Sequence, residues 1–137
     1  MAEDDEDDRF LMEEALEEND LGDFYFVEDG EELMDFLYHR GPYRDPDSSP
    51  RPSLILLDLN MPRKDGREAL KEIKEDPELK KIPVVVLTTS KAEEDIFRTY
   101  DLGVNSFIAK PVTFESMVAI MKMLDHYWFG LVELPRA

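Results

Sequence analysis

Two apolar patterns alternate along the chain. Short unbroken runs, such as Leu54-Ile55-Leu56-Leu57 and residues 82–87, stand between segments whose apolar residues recur every three or four positions among charged ones. Unbroken runs suit strands covered on both faces, and the periodic segments suit helices that bury one stripe. Residues 7–19 are predicted as a helix with Phe10, Leu11, Ala15 and Leu16 inward, and Phe24-Tyr25-Phe26-Val27 as a short strand. After Asp29-Gly30, residues 31–40 form a second predicted helix with Leu33, Met34, Phe36 and Leu37 inward. Residues 41–52, rich in Pro, Ser and Gly, are a loop by composition.

The strand 54–57 ends in Asp58, and a polar loop at 60–66 leads into a helix over 67–75. The run 82–87 ends in Thr88, Thr89 and Ser90, and residues 92–102 read as a helix closed by Gly103 as its C-cap. A strand at 106–109 stops at Lys110-Pro111, and Thr113 is the expected N-cap of a last helix reaching about residue 125, with Val118, Met121 and Leu124 inward. Residues 127–134 are an aromatic and β-branched tail. Strand–helix alternation implies a doubly wound parallel α/β sheet flanked by helices. Ligands of such sheets bind beyond the carboxyl ends of the strands, which singles out Asp58, Thr88 and Lys110.

Composition narrows the function. The 137 residues fit one domain, and no apolar run is long enough to span a bilayer. The acidic start argues against a secretory signal, and the absence of cysteine excludes thiol chemistry and fits a cytoplasmic setting. The net charge of −17 is concentrated at the front: residues 1–35 hold 17 acidic residues and one basic residue, Arg9. Such a surface repels nucleic acid and attracts cations or basic partners.

A carboxylate at a strand tip can attack phosphorus. Phosphoryl transfer then needs charge neutralisation around the moving oxygens. A magnesium ion held by carboxylates supplies most of it, while Lys110 can hold one phosphoryl oxygen and Thr88 can donate to another. Taken singly, each residue has a plainer reading. A strand-end Asp is commonly a turn former or helix cap, a strand-end Thr is unremarkable, and a lone Lys or the acidic run 3–8 is usually solvated. Their coincidence at successive strand tips is what points to a site.

The segment Leu54-Ile55-Leu56-Leu57-Asp58-Leu59-Asn60-Met61-Pro62-Arg63-Lys64-Asp65-Gly66 resembles the acceptor strand and loop of bacterial response regulator receiver domains. Residues 83–90 resemble their switch Ser/Thr strand, residues 103–111 their switch aromatic and Lys-Pro element, and Glu3-Asp4-Asp5 their acidic pair. The resemblance implies a flavodoxin-like receiver fold over residues 1–126. It also implies a response regulator that takes a phosphoryl group from a histidine kinase onto Asp58 and signals by changing shape, without turning over an external substrate. Asp4, Asp58 and the Asn60 backbone carbonyl would ligate Mg2+ (or Mn2+), Glu3 would act through water, and Phe107 would be the switch aromatic beside Thr88. Glu93-Glu94-Asp95-Ile96, the Pro-rich loop and the ending from His126 to Pro135 are similar to single-domain regulators partnered with phytochrome-type kinases. That similarity implies a C-terminal arm, residues 127–137, packed on the domain or on a dimer partner. One departure stands out: the family places an apolar central strand before the acidic pair, and here only Met1 and Ala2 precede Glu3. The expectation is a central gap, filled by residues preceding Met1 in the working protein or by the strand-like piece 129–134.

Three other readings are weaker. An aspartyl phosphatase needs a second Asp two residues after the nucleophile, where Asn60 stands. A receiver degenerated to a binding module would lack some of these groups. A calcium loop fails because Pro62 and Arg63 occupy the places of a ligand and a turn glycine. His39 and His126 have no partner pattern and read as surface residues.

Overall fold

The computed structural model describes residues 1–18, 24–45, 50–88, 96, 99–111, 113–124 and 126–127. Its helices are α1 (Glu6–Glu18), α2 (Gly30–Tyr38), α3 (Gly66–Glu75) and α4 (Phe114–Leu124), with strands β1 (Ile55–Leu57), β2 (Val84–Thr88) and β3 (Ser106–Ala109). The strands pair in parallel in the order β1-β2-β3, with Leu57 opposite Val86 and Val86 opposite Phe107. Residues 96 and 99–101, between β2 and β3, are helical and lead into Gly103 at φ +101. The Gly103 and Val104 N–H groups close that turn onto Tyr100 and Thr99, so Gly103 is the expected C-cap. The expected stretches 19, 89–90, 92–95, 97–98, 125 and 128–137, the last including most of the C-terminal arm, lie outside the described residues.

The unbroken apolar runs divide their side chains between the two faces of the sheet. Ile55, Leu57, Val84 and Val86 join Leu33, Met34, Phe36, Leu37, Leu70 and Ile73 in one core beneath α2 and α3. Leu56, Val85 and Leu87 join Met12, Ala15, Leu16, Met117 and Met121 in the other, beneath α1 and α4. Side chains alternate across a strand, so a run covered on both faces must be apolar throughout. Fully burying each such side chain contributes about 1.5–3 kcal/mol.

Among the described residues, the place of the expected central strand is met only by isolated bridges at Ala2. Ala2, fully buried, bridges Val27 on one side and Leu57 on the other, both in parallel. Its N–H donates to Leu56 O at 2.9 Å and its carbonyl accepts from Asp58 N–H at 3.1 Å; across the other edge, Glu3 N–H reaches Val27 O and Val27 N–H reaches Met1 O, both at 2.9 Å. Residues 1–3 thus link Val27 to the end of β1 through these bonds, with Ala2 in the core beneath α2 and α3 and Met1 packed against the other core. Two further expectations are corrected. Of the predicted strand 24–27 only Val27 forms a bridge, while the Tyr25 carbonyl accepts from the Met1 amino group. Phe10 is 62% exposed, because it lies two residues from Met12 and therefore about 200° around the helix from the buried stripe. Other helix ends move by a residue or two: α2 stops at Tyr38 under the left-handed cap His39, and α3 begins at Gly66.

Helix starts follow their caps. Asp5 accepts from Asp8 N–H at 3.0 Å, Asp29 from Glu32 N–H at 2.8 Å, Asp65 from Arg67 N–H at 2.7 Å, and Thr113 from Ser116 N–H at 3.2 Å. The loop after β1 is bolted to α2: Gly30 N–H donates to Lys64 O at 2.9 Å, and Arg63 pairs with Asp29 at 3.2 Å. At the other outer strand, the Phe107 N–H donates to the Tyr100 hydroxyl at 3.2 Å.

Gly66 is required by contact. A Cβ there would lie 2.3 Å from Asp58 O and 2.7 Å from Leu59 Cα, both backbone atoms. Gly66→Ala is expected to lower stability by about 1–3 kcal/mol through forced overpacking. Urea unfolding checks this, and a loss within about 0.5 kcal/mol, the scale of a neutral surface change, would show that the strand end yields freely.

Candidate functional site

The sheet delivers its chemistry to one end. Asp58 follows β1, Thr88 ends β2, and Lys110 follows β3, so parallel strands in register bring three distant carboxyl-terminal tips side by side. The Lys110 N–H donates to Thr88 O at 2.7 Å, which fixes the root of that lysine against the neighbouring strand. Glu3 and Asp4 arrive from the short central segment, and the bond from Asp58 N–H to Ala2 O ties their backbone to the acceptor strand.

Asp58 is buried, and both carboxylate oxygens are engaged. Oδ1 accepts from Thr88 Oγ1 at 2.8 Å and from the Asn60 N–H at 3.1 Å; Oδ2 accepts from Lys110 Nζ at 3.2 Å. The Asn60 side chain donates to Thr88 Oγ1 at 3.4 Å. The Lys110 side chain is only 5% exposed, and its ammonium also donates to Glu3 Oε1 and, at 2.9 Å, to Asp8 Oδ2. An ammonium has three donors, so three carboxylates saturate it.

The charges respond accordingly. Burial alone would raise the Asp58 carboxyl, but hydrogen bonding from Glu3 and Thr88, the Lys110 ammonium and the Asn60 N–H together hold it below the usual carboxylate range. Burial, then the neighbouring Asp58 carboxylate, pushes Glu3 up to about 9 despite Lys110. Lys110 is raised above the ordinary lysine value: burial pulls it down, and its contacts with Glu3, Asp8 and Asp58 more than reverse this.

The donor set fits a divalent cation. Carboxylate oxygens of Glu3, Asp4 and Asp58 all lie within 4.8 Å of one another, and Asp4 is exposed at the mouth. Glu3 Oε2 is buried with no hydrogen-bond partner among the described residues, an arrangement costing about 1–3 kcal/mol unless something fills it. An all-oxygen cluster suits Mg2+ or Mn2+.

Of the residues singled out in the sequence, Asp58, Thr88, Lys110, Glu3 and Asp4 come together, with Asn60 beside them. Phe107 stands apart: half-buried, it packs with the core beneath α2 and α3, opposite Val86 and two residues short of the strand tip. Asp8 was missed. It lies one helical turn after Asp4, a spacing that could have placed both on one side of the α1 entrance. Arg63 is turned onto Asp29, His39 caps α2 and His126 is exposed; none of the three belongs to the cluster.

Known proteins resemble this chain over nearly its whole length. The family model described as the response regulator receiver domain matches residues 1–122. Response regulator Rcp1 of Synechocystis sp. is 42% identical over 138 residues, covering 100% of this chain and 92% of that protein. The crystal structure of the phosphorylated cyanobacterial phytochrome response regulator RcpA is similar with a TM-score of 0.87 and 44% identity, over 98% of this chain and 95% of that one. The Mn(2+)-bound form of response regulator Rcp1 gives a TM-score of 0.88 and 42% identity, over 98% and 96%.

A cation bound at this cluster would compete with a proton for Glu3. Because that carboxyl is raised to about 9, ion binding below this pH releases a proton, and apparent affinity climbs as pH rises. From pH 6 to 8 the Mg2+ affinity is expected to increase by up to about tenfold per unit, the limit for one coupled proton. Titration calorimetry in buffers of different ionisation heat measures the release. Glu3→Gln should flatten the pH dependence, and a buffer-independent heat in the wild type would show that Glu3 is already ionised.

Proposed function

The chain belongs to the response regulator receiver domain family, and from that premise we propose that Asp58 accepts a phosphoryl group from a phosphohistidine and that Thr88, Lys110 and Phe107 convert the event into a change of shape. The observation that carries this reading is the buried Asp58 carboxylate held between the Thr88 hydroxyl on one oxygen and the Lys110 ammonium on the other, beside Glu3 and Asp4.

An Asp58 oxygen forms the new P–O bond as the donor P–N bond breaks, and the electron pair returns to the imidazole nitrogen. Asp4, Asp58 and the Asn60 carbonyl would hold a divalent cation, with Glu3 acting through water, and it would neutralise phosphoryl charge when bound. Lys110 offsets a further phosphoryl oxygen from a site nearly free of water, where its charge counts for more. The Thr88 hydroxyl leaves Asp58 Oδ1 for a phosphoryl oxygen. Its displacement at the tip of β2 frees space towards β3, and Phe107 turns inward. Phosphorylation favours one of two packings of the surface formed by residues 92–124.

The chain acts as a phospho-acceptor rather than a turnover enzyme: the amide of Asn60, bonded to Thr88, stands where an aspartyl phosphatase would need an acid. Among the described residues no helix is long and apolar enough to cross a membrane, and the acidic surface disfavours nucleic acid. The proposal is a cytoplasmic regulator that signals by protein contact. Its similarity to Rcp1 and to a phytochrome response regulator supports a phytochrome-type histidine kinase as donor. A homodimer, with residues 127–137 as an arm on the domain or on the partner, completes the proposal.

Incubation with a small phosphodonor and Mg2+, followed by intact-mass measurement, tests the site. The wild type gains one phosphoryl group that acid or base removes, and Asp58→Asn gains none; continued labelling of that variant would move the acceptor elsewhere. Lys110→Ala is expected to retain Mg2+ binding yet slow phosphorylation by roughly 10²–10³-fold, the usual cost of one transition-state donor. A rate near that of the wild type would remove Lys110 from the chemistry.

A further inference from the structure

Asp8 is tied to the catalytic lysine from an element that no other site residue belongs to. Its Oδ2 accepts from Lys110 Nζ at 2.9 Å, closer than the 3.2 Å between that ammonium and Asp58. Asp8 is in the first turn of α1, held by the bond from its N–H to Asp5 Oδ1. Met12 and Ala15, one and two turns further along the same stripe, are buried in the core shared with α4. The carboxylate is therefore mounted on a packed helix rather than on a loop.

The other two partners of Lys110 have competing duties. Glu3 and Asp58 are members of the cluster whose oxygens converge within 4.8 Å, and a cation held there would draw both towards itself. Asp8 lies outside that cluster. In the cation-loaded site it is the partner left to hold the ammonium, and Lys110 still has donors free for the incoming phosphoryl group.

We infer that Asp8 is a positioning residue for phosphoryl transfer: it anchors the Lys110 ammonium to α1 and keeps it aimed at the oxygens arriving on Asp58. The inference deepens the phospho-acceptor reading and rests on it. It also makes α1 a mechanical partner of the lysine, so that the helix registers where the ammonium sits.

The test measures phosphorylation by acetyl phosphate at varied donor and Mg2+ concentrations in wild type, Asp8→Ala and Asp8→Asn. Loss of the anchor should lower the maximal rate of Asp8→Ala about 10- to 100-fold, the scale of a misplaced catalytic group, while its Mg2+ half-saturation stays within about twofold and its donor half-saturation does not rise. Asp8→Asn, which keeps an acceptor oxygen, should recover most of that rate. Wild-type maximal rates in Asp8→Ala, or a parallel loss of rate and Mg2+ affinity, would overturn the inference. The ¹⁵Nζ resonance of Lys110, recorded with Mg2+ and no phosphodonor, separates the two readings. A signal that broadens or shifts in Asp8→Ala supports the anchor even if no phosphoryl group is ever accepted, and an unchanged signal refutes it.

Discussion

A negative charge kept out of water organises this molecule. Asp58 is almost fully buried, and an unpaired buried carboxylate would simply take up a proton. It stays ionised because a hydroxyl, a backbone N–H and an ammonium converge on it. None of these is a sequence neighbour except Asn60, so the charge is satisfied only when β1, β2 and β3 lie parallel and in register. The same arrangement makes the carboxylate a nucleophile and gives it an exposed approach through Asp4.

The nearby Glu3 takes the opposite course. Glu3 and Asp58 share the Lys110 ammonium with Asp8, burial penalises both, and the one without enough donors is driven towards its neutral form. The environments separate two chemically similar groups, one poised as an anion and the other poised to exchange a proton for a metal ion. That division costs local stability, seen in the Glu3 Oε2 that has no hydrogen-bond partner among the described residues.

The parts written as continuous or periodic patterns were legible beforehand. The run Leu54–Leu57 and the run ending in Thr88 declared two-sided strands, and their terminal residues declared the site. Gly103 and Thr113 declared their caps. What could not be read depended on partners rather than on local pattern. One alanine cannot show periodicity, yet Ala2 bridges Val27 and Leu57 because both offer it backbone groups. Phe10 looked inward because it sits next to Leu11, but the helix is phased by Met12, Ala15 and Leu16. Asp8 was lost within a run of six acidic residues, where composition suggests solvent and only the fold shows which member meets Lys110.

The phenol of Tyr100 has a consequence beyond the domain itself. β3 is an outer strand among the described residues, and the hydroxyl takes up the Phe107 N–H that faces away from β2. A free amide at such a border is an invitation for a stray strand to add on and seed aggregation. Here a side chain fills the vacancy without extending the ladder, so the sheet stops growing at Phe107.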